Sequence, residues 1–186
     1  MLDLKPACQG MTEVLAGVRD QQMSDPTPCE KYDVTDLVGH IVMLSRAFTA
    51  TARKEAQDDA PAAGPEVVRL PENWRADLAG SLRELGEAWD DPAAWEGVGG
   101  AGVGFELPNE LWGRIALTEV VVHGWDLARA TGQPFELPEQ TLRDCYAHVS
   151  GFVVEAGSPE LWGPPVEVAP DAPLLHRVLG VTGRRP

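Results

Sequence analysis

Glu110-Leu-Trp-Gly-Arg-Ile-Ala-Leu-Thr-Glu119-Val-Val-Val-His123-Gly-Trp-Asp126-Leu-Ala-Arg129 reads as one helix that is apolar on most of its sides. Leu111, Trp112, Ile115, Leu117, Val120, Val121, Val122, Trp125 and Leu127 are too densely placed for a surface helix with one greasy stripe, so this helix belongs between neighbours. Glu119, His123 and Asp126 stand at i, i+4 and i+7 within it. That spacing lines them up on one stripe, with neighbouring Cβ atoms about 5–6 Å apart. Ionisable groups on a buried stripe are costly unless they pair with each other or hold a metal.

Helical periodicity continues on both sides of this run. A first helix is expected from about Lys5 to Gln22, with Cys8, Met11, Leu15 and Val18 on one face, before Ser24-Asp25-Pro26-Thr27-Pro28 breaks it. Asp33 caps the next, with Asp36 three residues on, and Leu37, Ile41, Leu44 and Phe48 carry the stripe to about Lys54. Ala56 to Pro65 reads as an Ala/Asp/Pro-rich loop. Pro71, Pro108 and Pro138 each suit the first turn of a helix, where a missing N–H costs nothing, giving helices over about 71–90, 108–131 and 138–156. Gly132 and Gly157 are the expected stops. The glycines from Gly97 to Gly104 form a loop or short strand pair over one end, without the strand-to-helix context of a phosphate cradle. An extended proline-rich tail from Ser158 to Pro170 and a short helix from about Pro173 to Leu179 follow. Four or five substantial helices with little strand give an all-α bundle.

The 186 residues suit one core and one domain, 1–186. A composition 44% hydrophobic and 24% charged is that of a globular protein. Acidic residues outnumber basic ones 29 to 15, a net charge of −14 that disfavours nucleic acid and anionic lipid as partners. No apolar run approaches the roughly 20 residues needed to span a bilayer, and Met1 to Gly10 does not read as a signal peptide. Cys8, Cys29 and Cys145 are odd in number and unrelated in spacing, which points away from disulfides and towards a reducing cytoplasm.

His40 is the second chemical signal. It lies among Leu37, Met43 and Leu44 on the apolar face of its helix, from which one imidazole could meet Glu119 and His123 across the bundle. Two histidines and a carboxylate suit Zn²⁺, Ni²⁺ or Fe²⁺ and leave a coordination position open. Spacing alone leaves other readings standing. His40 can be a satisfied core histidine, and Glu119 with His123 an ordinary helix ion pair. Asp126 can orient a metal-bound histidine, pair with Arg129 or cap a neighbour. Cys29 reads as a structural thiol rather than a nucleophile, and His148 and His176 lack acidic partners at ligand spacing. Trp112 and Trp125 are candidates to line a pocket beside the stripe, and Arg46, Arg114 and Arg129 to hold an anionic substrate group.

Pro26-Thr27-Pro28-Cys29, Asp36-Leu-Val-Gly-His40, Glu119-Val-Val-Val-His123-Gly-Trp-Asp126-Leu-Ala-Arg129-Ala-Thr-Gly132 and Asp171-Ala-Pro-Leu-Leu175 together resemble the metal-binding N-terminal domain of mycothiol-dependent maleylpyruvate isomerases. That domain belongs to the DinB-like superfamily, which includes bacillithiol and mycothiol S-transferases. The resemblance implies a DinB-like four-helix bundle, metal ligands at His40, Glu119 and His123, zinc as the usual metal, mycothiol as thiol cosubstrate and an actinobacterial source. The isomerase's second domain, with its catalytic arginine, has no room in 186 residues, and Tyr32 stands where relatives often carry tryptophan. The expectation is therefore a thiol S-transferase-like enzyme in which a metal-activated thiolate attacks an electrophilic small molecule, as a monomer or homodimer. The alternatives are a non-catalytic metal- or ligand-binding module and a metal-dependent isomerase or hydrolase using metal-bound water.

Overall fold

The computed structural model describes residues 1–56, 70–153 and 162–186. Helices α1 (Lys5–Gly17), α2 (Val34–Ala52), α3 (Trp74–Ala88) and α4 (Asn109–Thr131) form a four-helix bundle in which α1 and α2 each pack on both α3 and α4. Helix α5 (Glu139–His148) docks on the outer side of α4, and α6 (Leu174–Val181) packs on α5. Val98–Gly99 and Leu107–Pro108 pair as a minimal antiparallel ladder, so of the loop or short strand pair expected of the glycine-rich stretch the strand pair forms. The protein is all-α, and none of its described helices is long and apolar enough to cross a membrane.

α4 is central because α1, α2 and α5 all pack on it. Every residue from Val120 to Ala128 is buried as a result. Met11, Leu15, Leu37, Leu78, Leu82, Leu85 and Leu117 fill the interior between the four helices, each such side chain stabilising the fold by about 1.5–3 kcal/mol. The wholly buried Trp89 donates its indole N–H to the Phe48 carbonyl at 3.1 Å, tying the end of α3 to α2.

Several boundaries differ from the sequence expectation. The first helix stops at Gly17 rather than Gln22, and a separate turn of 3-10 helix covers Asp20–Gln22. The Gln133 side chain fills the space where a Cβ at position 17 would sit and donates to the Val14 carbonyl at 2.9 Å, satisfying a carbonyl of the last turn. Pro71 does not open α3, which begins at Trp74 after a turn that returns the Trp74 N–H to the Pro71 carbonyl. Pro108 and Pro138 stand one residue before their helices, and Pro108 instead pairs with Val98 in the ladder. α5 ends at His148 and passes into a π-helical turn over Val149–Val153. Gly132 ends α4 as expected, in the left-handed conformation at φ 71° that glycine adopts without strain. The loop expected from Ala56 to Pro65, the end of the helix expected to reach residue 156, the stop at Gly157 and the start of the proline-rich tail fall wholly or mostly outside the described residues.

Candidate metal centre

The site forms where α2 and α4 face each other. Asp33 caps α2 by accepting from the Asp36 N–H at 2.9 Å, which sets where the helix begins and so the direction in which His40 points. On α4, Glu119 and His123 lie one turn apart. The ligand atoms of His40, Glu119 and His123 all lie within 4.8 Å of one another. Glu119 Oε2 is 3.0 Å from His123 Nε2 and 3.8 Å from His40 Nε2. The two imidazoles meet edge to face at 5.0 Å between centroids.

Glu119 Oε2 is buried and, with both imidazoles neutral and their hydrogens on Nδ1, receives no hydrogen bond although both rings approach it. A buried carboxylate oxygen in that state is costly. Ligand atoms about 2.0–2.1 Å from one tetrahedral cation lie about 3.3–3.4 Å apart, and the observed separations bracket that value. The donor set, two neutral nitrogens and one anionic oxygen, is of the kind that suits a borderline divalent ion. The residues therefore fit a divalent metal.

Both histidines are anchored through their other nitrogen. His123 Nδ1 is 3.0 Å from Asp126 Oδ2, and because an ionised carboxylate can only accept, the ring carries its hydrogen on Nδ1 and leaves Nε2 to face Glu119. The Tyr32 hydroxyl lies 3.4 Å from His40 Nδ1, with the two rings 5.0 Å apart. Asp126 is wholly buried and takes a two-point contact from Arg184, with Nη2 2.8 Å from Oδ2 and Nε 3.2 Å from Oδ1. The Trp162 ring stacks beside His123 at 6.3 Å and lies under the Arg184 guanidinium at 5.9 Å.

Burial acts on each of these groups, and the neighbouring charges decide the outcome. For Glu119, burial would raise the pKa, but the His123 and His40 imidazoles outweigh it and hold the carboxyl down to about 2. For His123, burial would lower the pKa, but Asp126 and Glu119 lift it to about 9. Without a metal, the centre is a row of alternating charge: Glu119 negative, His123 positive, Asp126 negative, Arg184 positive.

Other sequence candidates fall elsewhere. Trp112 donates to the Gly99 carbonyl and stacks with Phe105 and Phe48, so it belongs to the hairpin end rather than to the metal centre. The aromatic beside His123 is Trp162. Arg114 pairs with Glu110, Arg46 and Arg129 are exposed, and the cation on Asp126 is Arg184 rather than Arg129. Cys29 is half-buried, with its sulfur within 4.8 Å of ligand atoms of His123 and Asp126. Burial raises its thiol pKa, partly offset by Arg184. His148 is buried, its pKa pushed down to about 4 by burial, and neither it nor His176 belongs to a potential metal-holding group among the described residues. Sequence reasoning missed Arg184, Trp162 and the contact of Tyr32 with His40. Of these, only Tyr32 carries a sequence signal, standing three residues after Pro26-Thr27-Pro28-Cys29 and eight before His40.

An all-α bundle with two histidines and a carboxylate converging between its second and fourth helices defines a class of helical metal-site domains. This chain belongs to the family described as the mycothiol maleylpyruvate isomerase N-terminal domain, whose sequence model matches residues 4–128. The bundle is accordingly DinB-like. Two curated proteins of Mycobacterium tuberculosis are each 28% identical over 165 residues, covering 86% of this chain and 80% of the relative. They are Uncharacterized protein MT0763 of strain CDC 1551 / Oshkosh and Uncharacterized protein Rv0738 of strain ATCC 25618 / H37Rv. No solved structure matches the chain.

Proposed function

We propose that the protein is a divalent-metal-dependent, thiol-using enzyme of the S-transferase type, with His40, Glu119 and His123 as metal ligands and Asp126 orienting His123. The observation that carries this reading is the convergence of the His40, Glu119 and His123 ligand atoms within 4.8 Å of one another, with Glu119 Oε2 buried between two anchored imidazoles. Three protein ligands are the number typical of a catalytic rather than a structural zinc site, which usually has four.

A divalent ion held there, zinc by preference and nickel or iron by the same donor set, supplies acidification of a bound thiol whose free pKa is about 8.5. The chain's own residues prepare the site for it. Asp126 holds the hydrogen on His123 Nδ1, so that Nε2 presents a lone pair. Tyr32 supports the same orientation of His40. Glu119 adds one negative charge, so the site offsets half the charge of a divalent ion. Trp162 screens His123 from water on its outer side. The cosubstrate is a low-molecular-weight thiol, mycothiol by the family's description, and its partner an electrophilic small molecule. We place this chemistry in the cytoplasm, in one domain acting as a monomer or homodimer.

The family description also favours a second reading, thiol-dependent isomerisation of a maleylpyruvate-like diacid. One set of assays separates the two. Metal-loaded protein, metal-stripped protein and Glu119→Gln are given thiol with either an alkylating electrophile or the diacid. The transferase reading expects conjugation that requires metal and Glu119 and no isomerisation. Isomerisation alone favours the second reading, and conjugation at equal rates in all three samples overturns the first.

A further inference from the structure

The Asp126–Arg184 contact joins residues 58 apart in sequence, and Arg184 lies beyond the stretch matched by the family model. Arg184 is nearly fully buried. Its guanidinium donates to both oxygens of Asp126, to the Trp162 carbonyl at 3.3 Å and to the Thr182 carbonyl at 2.9 Å. The planar fork is therefore fixed by the chain on one side and fixes the carboxylate on the other. Asp126 spends its remaining capacity on His123 Nδ1. Without Arg184 this carboxylate would be a buried anion with one partner. A carboxylate so placed is costly, and if it swings away it removes the acceptor that orients His123.

We infer that Arg184 is a positioning residue of the metal centre, acting through Asp126 to set how tightly His123 holds a divalent cation. The inference rests on the proposed roles of His40, Glu119 and His123 as ligands. It makes the segment that carries Trp162 and Arg184 a working part of the centre, supplying the outer partner of a carboxylate–histidine–metal arrangement. A merely structural Arg184 would pin that segment to α4 and leave the ligand's affinity alone.

The test is zinc(II) binding by chelator competition, with the visible spectrum of the cobalt(II)-loaded protein, on the full chain. The samples are wild type, Arg184→Gln, Arg184→Lys, Asp126→Asn and the two double variants that combine Asp126→Asn with Arg184→Gln or Arg184→Lys. Arg184→Gln is expected to weaken zinc(II) binding at least about tenfold, and Arg184→Lys to recover part of the loss. In the Asp126→Asn background, Arg184→Gln should change affinity by less than about twofold, because its route to the metal is already cut. The cobalt(II) spectra of Arg184→Gln and Asp126→Asn should shift alike from wild type. Should Arg184→Gln fail to fold, Arg184→Lys answers the question, since it keeps the charge and loses the two-point contact. It should weaken binding several-fold in wild type and not in Asp126→Asn. Wild-type affinity in the folded arginine variants, or an equal loss in both backgrounds, overturns the inference and leaves the ligand reading standing. A wild-type protein that binds no zinc(II) overturns the ligand reading and the inference with it.

Discussion

At the scale of single residues, the centre stores one proton that a metal must displace. In the metal-free protein the folded-state pKa of His123 is raised from 6.5 to about 9. Its contribution to stability is fully present below 6.5 and is lost as pH rises through about 9. The Glu119 pKa is lowered from 4.5 to about 2, so its contribution is present above 4.5 and is lost as pH falls through about 2. Between pH 6.5 and 9 the chelated protein should therefore melt at progressively lower temperature. Metal affinity should rise over the same range, because ligation needs a neutral His123. Melting curves with zinc(II) and with chelator, taken at several pH values, should diverge as pH rises; curves that stay parallel would count against His123 as a ligand. The stripe of Glu119, His123 and Asp126 was legible in sequence because helical period alone brings such positions together. His40 was legible as an imidazole among apolar neighbours. Arg184 was not, since no local rule links positions 126 and 184, and the nearer Arg129 was the natural but incorrect partner.

At the scale of elements, the bundle depends on two kinds of local choice. Asp33 and Asp36 cap each other's backbone at the start of α2. Asp33→Ala should destabilise the protein by about 1 kcal/mol, measured by urea denaturation, and should also loosen metal binding, because it frays the helix that carries His40. Gly124 lies beside His123 on α4, and a Cβ there would come within 2.6 Å of the Phe135 ring. Gly124→Ala should cost about 1–3 kcal/mol through overpacking, and wild-type stability in that variant would contradict the packing described. Helix existence was legible from periodicity and capping residues, whereas helix ends were not. The early stop of α1 depends on a glutamine just past the end of α4, and the late start of α3 on a turn that proline alone did not specify.

At the scale of the whole molecule, the metal joins two helices that already share a packed interface. The core from Leu15 to Leu117 owes nothing to the metal site, so stripping the ion should leave most of the far-UV helical signal and lower the melting temperature. Collapse of that signal on chelation would make the site structural and remove the argument for catalysis. The all-α class was legible from helical periodicity and helix-start residues, and the DinB-like four-helix arrangement from the resemblance to the family. The packing of α5 and α6 outside α4 was less so, as their faces are short.

One divalent cation per chain, held by His40, Glu119 and His123, underlies every role proposed for the site. Zinc(II) titration of the stripped protein, followed by calorimetry on wild type, His40→Ala and Glu119→Gln, tests this most directly. The prediction is one tight site in wild type and a loss of at least about a hundredfold in each variant, with helical content kept. A wild-type protein that takes up no zinc(II), or variants that bind it as wild type does, would contradict it.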